Sequence, residues 1–488
     1  MLRLPFSAGC QARELSLTSE PRGLMQHLAF YSPSDPNLQL TLKVLLAILA
    51  ILAASALCGK LALMVKQPRV LGEMVAGVLL GPTLLGALFP GTQKALFPAD
   101  VKPILYVLST IGLALYMFLV GAGIEHGKTD SSAKGASRPG GGHSATQGRH
   151  AVLLSLSGIV PALLLGAGVA LLWYSRLSRH DVSRVEFALF VGGALSLTAF
   201  PMLARILYER GLENSPLGRL TLVAASVDDV TAWCMLAVLS AVHSGSGPMS
   251  ALQSIALAAL FAGVMLFGVA RLLRPLGERV ARTRTFTTGQ VYIVAFVVLA
   301  AAWFTDRIGI YSVFGGFIAG LAMPRNAAFR EALHARMMDF VSVFLLPIFF
   351  AFSGLNTELN SIAGGATLLA FITLLAAGFI GKYVGCGLAM RTVGFSWRES
   401  WAVGGLMNAR GLMILIFINI GLSQHIISQE IFSILVLVAV VTTAGAVPLY
   451  RWALPERIEE QLIPRAAGGA AISRGEEAES RAMASEAS

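Results

Sequence analysis

The amino-acid sequence predicts an all-α polytopic membrane protein with about 13 transmembrane helices. Of its 488 residues, 55% are hydrophobic and only 13% are charged. An average soluble domain carries about 25% charged residues. The mean hydropathy is +0.71, and apolar segments of helix length follow one another along most of the chain. These observations exclude an ordinary soluble domain.

Thirteen apolar segments, which we number as spans 1 to 13, can be read along the sequence. They are 39–64, 70–88, 104–124, 151–174, 184–207, 217–241, 250–272, 287–305, 308–323, 337–354, 364–390, 398–421 and 428–453. The division between spans 8 and 9 depends on the pair Asp306-Arg307. We expect a disordered leader over 1–37, a transmembrane domain over 38–455 and a disordered cytoplasmic tail over 456–488.

The positive charge is distributed unevenly between the connections. The formal net charge is +10, and the basic residues concentrate in odd-numbered connections, as at Arg274, Arg279 and Arg282. Because Lys and Arg favour cytoplasmic loops, the N-terminus is predicted outside and the C-terminus in the cytoplasm. The charge thus reflects topology, and no nucleic-acid partner is expected. The Gly- and Ser-rich connection 125–149 is predicted to be a flexible cytoplasmic loop.

A weak internal repeat relates spans that are seven apart. Leu71–Gly77 in span 2 is similar to Phe314–Gly320 in span 9, and Met117–Gly121 in span 3 is similar to Phe350–Gly354 in span 10. An odd offset makes the two copies cross the bilayer in opposite directions, as in inverted-repeat transporters. Glycine-rich helix packing alone is the alternative explanation.

Two adjacent carboxylates, Asp228 and Asp229, lie near the midpoint of span 6. A carboxylate at bilayer depth costs roughly 2.5–3.5 kcal/mol and usually marks an ion pathway or a proton relay. Neighbouring helical side chains point about 100° apart, so the two residues cannot have the same role. One can face a cavity while the other pairs with a cation. A purely structural ion pair is the alternative.

A buried cation is available in span 11. Lys382 lies deep in the sequence Gly381–Gly385, and pairing with an aspartate on another helix would offset the cost of removing it from water. The alternatives are that its long side chain reaches the membrane interface or that it only braces the structure.

Spans 5 and 12 contain helix-breaking sequences at corresponding places. Span 5 has Ser196-Leu197-Thr198-Ala199-Phe200-Pro201, and span 12 has Gly404-Gly405-Leu406-Met407-Asn408-Ala409-Arg410-Gly411. Interrupted helices in matching halves indicate a transporter's binding site. We expect Thr198, Ser196 and freed carbonyls to supply oxygen ligands for a small cation. We expect Asn408 and Arg410 to satisfy or balance the polar groups that the break in span 12 exposes. A packing kink at Pro201 is the alternative.

Together these sequences resemble the cation:proton antiporter family 2, within the monovalent cation/proton exchangers. The matching segments are Gln67–Glu73 through Gly81-Pro82, Thr198–Arg205, Ala224–Trp233, Gly381-Lys382 and Met407–Gly411. The resemblance implies thirteen helices with inverted repeats, in which helices 5 and 12 are unwound and cross. It also implies a homodimer whose mobile core slides against a dimerisation part.

Carried over by position, the resemblance implies that Asp229 is the ion- and proton-binding carboxylate and that Asp228 is the salt-bridge partner of Lys382. The sequence also departs from its relatives. Many of them have Asn or Gln where Asp228 stands, and some place Glu where Leu412-Met413-Ile414 follow here. Potassium-efflux relatives carry a nucleotide-binding regulatory domain, which we do not expect in this chain.

We therefore expect a secondary active antiporter, not an enzyme, with a role in pH homeostasis. It exchanges a monovalent cation for protons by alternating access at Asp228 and Asp229, without a cofactor, in the lipid bilayer of a bacterial inner membrane. Sodium is the favoured cation, with potassium and lithium as alternatives. A potassium/proton antiporter without the regulatory domain is the second interpretation. A cation channel is disfavoured because no repeated filter motif is present, and an intramembrane aspartyl protease because its carboxylates belong to different helices.

Overall fold

The computed structural model describes residues 35–455, apart from 83, 124–142, 180, 210–211, 213–214, 244–246, 284, 310 and 358–363. Every regular element in these ranges is helical. The predicted tail over 456–488 and nearly all of the predicted leader lie outside the described residues. So do residues 125–142 of the predicted flexible loop. The prediction was wrong for residues 143–149, which begin a helix because their sequence contains no helix-breaking proline.

Nine helices make up the first part of the described chain. They are α1 (Pro36–Met64), α2 (Arg69–Leu80), α3 (Leu85–Leu88), α4 (Pro90–Leu96), α5 (Lys102–Gly123), α6 (His143–Leu177), α7 (Arg184–Ser196), α8 (Phe200–Glu209) and α9 (Pro216–His243).

The second part contains eleven further helices and two π-helical turns. They are α10 (Gly247–Gly263), a π-helical turn (Val264–Val269), α11 (Ala270–Leu272), α12 (Arg274–Thr283), α13 (Thr288–Arg307), α14 (Ser312–Leu321), α15 (Ala327–Phe340), a second π-helical turn (Val341–Leu345), α16 (Leu346–Leu355), α17 (Gly365–Val393), α18 (Trp397–Leu406), α19 (Gly411–Ser423) and α20 (Gln429–Ala453).

Among the described residues, 9 helical stretches are long and apolar enough to cross a membrane. Helix α9 is also long enough, at 28 residues, but it carries the two central aspartates. Spans 5 and 12 are each divided into two short helices, and α14 has only 10 residues. The described part of the chain is therefore all-helical and polytopic as predicted, while the total of 13 crossings stays a prediction.

Several helix boundaries follow from local chemistry. Asp35 accepts a hydrogen bond from the Asn37 amide at 2.9 Å and so caps α1. Ser396 and Glu399 form a reciprocal capping box at the start of α18, which satisfies two amides that lack helical partners. Gly394 ends α17 with a φ of +108°, a conformation that costs glycine little.

The repeated glycine motifs pack the two halves of the molecule against each other. A Cβ atom on Gly77 of α2 would lie 2.2 Å from the Phe350 carbonyl oxygen of α16. A Cβ atom on Gly320 of α14 would lie 2.1 Å from the Phe118 carbonyl oxygen of α5. Only glycine permits either approach. The close contact of α2 with α16 thus has a counterpart in the contact of α14 with α5. An inverted repeat predicts this correspondence, because α2 matches α14 and α16 matches α5.

The divided spans meet at their gaps. Helix α7 ends at Ser196 and α8 begins at Phe200, while α18 ends at Leu406 and α19 begins at Gly411. We call residues 197–199 the first break and residues 407–410 the second break. The Ala199 amide donates a hydrogen bond to the Ala409 carbonyl at 2.9 Å, so the two breaks are directly joined. Four helix ends therefore lie together inside the protein.

Candidate ion-binding site at the crossed helix breaks

The first break is held by backbone and hydroxyl contacts to the second. Thr198 Oγ1 lies 3.1 Å from the Met407 carbonyl oxygen, in addition to the Ala199–Ala409 bond. Pro201 is the second residue of α8, a position where its missing amide proton costs nothing because first-turn amides have no helical partner. The sequence therefore produces a clean stop and restart rather than a bent helix.

Two buried cations cap the carbonyl end of α7. Lys382 of α17 donates a short hydrogen bond to the Ser196 carbonyl, and Arg410 donates one to the Leu195 carbonyl. Arg410 also reaches the Gly378 carbonyl at 2.6 Å, and both cationic side chains are 0% exposed. The C-terminal end of a helix carries a partial negative charge, so the two cations stabilise the interrupted helix.

Asp228 is the fully paired carboxylate of the two. Its Oδ1 accepts a hydrogen bond from Ser155 Oγ of α6 at 2.6 Å. Its Oδ2 accepts from Thr198 Oγ1 at 2.5 Å and from Lys382 Nζ at 2.9 Å. Lys382 and Asp228 thus form an ion pair that is 0% exposed on both sides. Such a pair is retained in the interior only when further hydrogen bonds satisfy the charges.

Asp229 has the opposite environment. It is also 0% exposed, yet neither of its carboxylate oxygens has a hydrogen-bond partner among the described residues. The backbone amide of Phe200, at the first residue of α8, approaches this carboxylate without reaching hydrogen-bond geometry. The amide end of a helix favours a negative charge. Asp229 therefore lies where an anion is tolerated but not satisfied.

Other buried polar atoms in this region also lack partners within the described part of the chain. They include the indole nitrogen of Trp233, the Oδ1 atom of Asn408 and the Nε atom of Arg410. Trp233 lies four residues after Asp229 and hence on the same face of α9. The amide nitrogen of Asn408 donates to the Gly404 carbonyl at 3.0 Å, which leaves its oxygen as the unsatisfied atom.

The predicted residues are brought together, but two have different contacts from those expected. The Ser196 hydroxyl donates to the Gly193 carbonyl of its own helix at 2.8 Å, so Ser196 contributes its carbonyl rather than its hydroxyl to the centre. The Thr198 hydroxyl contacts Asp228 rather than Asp229. Sequence reasoning missed Ser155, because a serine in an apolar span has no local signal that distinguishes it from a packing residue.

Sequence reasoning also missed Thr443 of α20. Its hydroxyl oxygen accepts a hydrogen bond from the Gly411 amide at 3.1 Å. Gly411 begins α19 with a φ of +40°, which favours glycine. Asp229 and Thr443 thus stand opposite the amide ends of the two interrupted spans, Asp229 at Phe200 and Thr443 at Gly411. The internal repeat, extended to spans 6 and 13, could have indicated this relation.

The arrangement can hold a small cation or a proton at one place. A buried carboxylate without a partner is costly unless it is neutralised. Asp229 can be neutralised by protonation or by an alkali cation that prefers oxygen ligands. Asp228 already has its counter-charge in Lys382. The site therefore contains one carboxylate that lacks a neutralising partner among the described residues and one that is already paired.

Comparison with known proteins places the chain in a family. The family described as "Sodium/hydrogen exchanger, transmembrane" matches residues 47–454. The Na(+)/H(+) antiporter NhaS4 of Synechocystis is 38% identical over 411 residues, which cover 84% of this chain and 97% of that protein. Cation/H(+) antiporter 19 of Arabidopsis thaliana is 33% identical over 424 residues, which cover 86% of this chain but only 50% of that protein.

A solved structure has the same fold. The sodium proton antiporter MjNhaP1 from Methanocaldococcus jannaschii superposes with a TM-score of 0.53 at 13% identity, covering 87% of this chain and 100% of that one. The relatives are transporters and not enzymes. With a family match that extends across nearly all the described helices, the chain belongs to the sodium/hydrogen exchanger family of multi-pass membrane antiporters.

Proposed function

We propose that the protein exchanges a monovalent cation, with sodium favoured, for protons at the carboxylate of Asp229. The observation that carries this proposal is the contrast between two adjacent, fully buried aspartates. Asp228 has three hydrogen-bond donors, whereas Asp229 has none among the described residues. A carboxylate that the protein leaves unsatisfied is available for a transported ion.

Competition at one carboxylate couples the two fluxes. When the site opens to one side of the membrane, a proton leaves Asp229 and a cation takes its place, or the reverse. Because both ligands neutralise the same charge, they exclude each other. An empty, ionised Asp229 would have no partner in the closed protein, and the cost of burying it opposes closure without a ligand. Exchange then needs no covalent chemistry.

The support for Asp229 comes from its surroundings. The ion pair of Asp228 with Lys382 and the Arg410 contacts neutralise the carbonyl end of α7. The amide end of α8 approaches Asp229. Helix dipoles and fixed charges therefore surround an exchangeable site, as in other transporters with interrupted helices. Thr198 and Ser196 contribute at its edge, through a hydroxyl on Asp228 and a carbonyl on Lys382.

Sodium is the first choice of cation because the available ligands are hard oxygens in a small buried space. Potassium and lithium present the same charge to the same carboxylate, so a potassium/proton antiporter is the second candidate. Selectivity among them depends on ligand spacing in the occupied site. Titration of the same exchange assay with each of the three alkali cations distinguishes these candidates.

The proposal includes the setting of the protein. We place it as a homodimer in a bacterial inner membrane, with the N-terminus outside and the C-terminus in the cytoplasm. The arginines at one end of the helices, such as Arg274, Arg279 and Arg330, support this orientation. Large apolar side chains on the outer surface, including Phe267 at 80% and Phe296 at 74% exposure, suit contact with lipid or with a second copy.

The test is Asp229→Asn in proteoliposomes, with dye-reported proton movement on addition of Na⁺, K⁺ or Li⁺. We expect wild-type protein to show cation-dependent proton efflux and the variant to show none. Because Asp229 makes no hydrogen bond within the described protein, Asn should leave the melting temperature unchanged. The loss of exchange would then be a loss of chemistry and not of fold.

Asp181→Asn is the matched control. It makes the same carboxyl-to-amide change on a side chain that is 60% exposed, and it should exchange at the wild-type rate. Normal exchange by a folded Asp229→Asn protein would refute the assignment of the site. Cation movement that cannot be driven uphill by a proton gradient would indicate a channel instead.

A further inference from the structure

A cavity of about 250 Å³ opens at the end of the molecule where α13 and α19 finish and α5 begins. This is the end that we place outside the membrane. The inner part of the cavity is apolar, with Leu113, Phe349 and Ile416 in its wall. Since a water molecule occupies about 30 Å³, a hydrated monovalent cation fits with several waters.

The outer wall of the cavity carries a single carboxylate. Asp306, near the end of α13, lines the cavity, and the described lining residues include no Lys, Arg or His. Arg307, the next residue in the sequence, does not line it. A cleft with apolar walls and charge of one sign concentrates ions of the opposite sign. The electrostatics therefore favour a cation.

Asp306 is held in place by the helix that follows it. Its Oδ1 accepts a hydrogen bond from the Ser312 amide at 2.5 Å, at the first residue of α14. This contact uses one oxygen of the carboxylate in a capping role. The Ser312 hydroxyl also donates to this carboxylate. A carboxylate has about four acceptor positions, so positions remain for a cation or for water.

Asn419 of α19 supplies a neutral oxygen to the same cavity. Its amide nitrogen donates to the Leu415 carbonyl at 2.8 Å and to Ser353 Oγ at 3.0 Å. A carbonyl can only accept, so the first contact identifies the nitrogen and thus the orientation of the amide. Both amide protons are used within the protein. The Oδ1 atom, an acceptor suited to a hard cation, is left for the cavity.

We propose that this cavity is a second, outer cation site, where Asp306 and the Asn419 amide oxygen hold a hydrated monovalent cation on its way to or from Asp229. The proposal rests on the exchange function proposed above. The cavity also lies close to that site: Val313 lines it, and the next residue, Phe314, packs its ring 6.1 Å from the ring of Trp233. Trp233 is one helical turn from Asp229.

The transport test compares Asp306→Asn with Asp181→Asn in right-side-out and inverted membrane vesicles from cells that lack other exchangers. Asn keeps the oxygen that caps α14, so the variant should fold. The Na⁺ concentration for half-maximal exchange should rise by a factor of about 5–10 at low ionic strength. The rise should occur only when Na⁺ is added on the Asp306 side, and Asp181→Asn should not show it.

Salt should remove most of the difference. The Debye length falls from about 30 Å at 0.01 M to about 8 Å at 0.15 M ionic strength, so added choline chloride should bring Asp306→Asn toward the wild-type value. An unchanged half-maximal concentration in Asp306→Asn, or an equal rise in Asp181→Asn, would overturn the outer site. If wild-type vesicles show no exchange, the proposed function fails instead.

A binding measurement tests the cavity without transport. Tl⁺, a heavy monovalent cation, can be located by its anomalous scattering in crystals of the full chain. In an Asp229→Asn protein we expect a Tl⁺ peak beside Asp306, and in an Asp306→Asn protein we expect that peak to disappear. Absence of the peak in Asp229→Asn, or its persistence in Asp306→Asn, would show that Asp306 only caps α14.

Discussion

The two helix breaks have the same architecture but different chemistry. At the first break, the carbonyl end of α7 is capped by the cations Lys382 and Arg410. At the second break, the Ala409 carbonyl accepts from the neutral Ala199 amide, and the nearest side-chain group to the Met407 carbonyl is the neutral Thr198 hydroxyl at 3.1 Å. Charge is therefore concentrated at only one of two structurally related places.

The amide ends of the restarted helices differ in the same way. The Gly411 amide at the second break bonds to the neutral hydroxyl of Thr443. The Phe200 amide at the first break faces Asp229, whose oxygens have no partner in the described chain. The repeat thus provides two similar positions for an anion, and the sequence fills one with a satisfied hydroxyl and the other with an unsatisfied carboxylate. The proposed exchange requires the second kind.

Removal of the Lys382 charge is the change that should most strongly alter the difference between the two breaks. In Lys382→Met, Asp228 would stay buried with only hydroxyl donors, and loss of one partner of a buried ion pair costs about 3–5 kcal/mol. We expect a large fall in melting temperature, measured by fluorescence in detergent, together with loss of exchange.

The double variant Lys382→Met with Asp228→Asn separates charge from packing. Because both charges are then absent, most of the lost stability should return. The Ser196 carbonyl, which Lys382 caps in the wild type, still lacks its donor. A double variant as unstable as Lys382→Met alone would mean that the ion pair is not the source of the loss.

Arg410 tests the second cation at the same helix end. The Leu195 carbonyl has no helical partner, because the Ala199 amide donates to Ala409 instead. Arg410→Met removes the donors to Leu195 and Gly378, and a hydrogen bond to a charged group contributes about 1.5–3 kcal/mol. We expect destabilisation by about that amount in thermal or urea unfolding. Arg410→Lys keeps the positive charge but loses the two separate guanidinium nitrogens that reach the two carbonyls. It should therefore recover only part of the lost stability. Full stability in Arg410→Met would contradict the capping role.

The Thr198 hydroxyl is the smallest of these perturbations. Thr198→Val keeps the shape but removes one of the two donors to Asp228 Oδ2, a loss of about 1.5 kcal/mol, the lower end of the range for a hydrogen bond to a charged group. We expect a small fall in melting temperature and a modest rise in the Na⁺ concentration for half-maximal exchange. Thr198→Ser retains the hydroxyl and should behave as wild type. Equal behaviour of the Val and Ser variants would show that the hydroxyl contributes nothing.

Most of the fold can be inferred from the primary structure. Apolar segments of helix length reveal a membrane protein because a bilayer core demands about 20 such residues per helix. Thr198-Ala199-Phe200-Pro201 and the Gly-rich segment around Asn408 reveal the breaks, since proline and glycine interrupt helices for local reasons. The glycine motifs around Gly77 and Gly320 reveal the repeat.

The chemistry of the site could be inferred only in part. Asp228, Asp229 and Lys382 are visible because charged residues stand out in apolar spans. The sequence could not show that Ser196 contributes its carbonyl rather than its hydroxyl, since the hydroxyl forms a hydrogen bond within its own helix. The sequence also could not show that Ser155 donates to Asp228, because a serine in an apolar span is an ordinary packing residue. Residues 456–488 lie outside the described structure, and their expected disorder stays a prediction.

Local sequence accordingly specifies the helices, their interruptions and the presence of two adjacent acids. By itself it does not say which acid is satisfied, because both stand in the same helix with nearly the same neighbours. The expectation that Asp228 pairs with Lys382 came from the family resemblance. That distinction arises from Ser155 on α6 and Lys382 on α17, which reach Asp228 from distant parts of the chain. Hydrogen bonds depend on distances of a few tenths of an ångström, and only the packed arrangement of helices determines those distances.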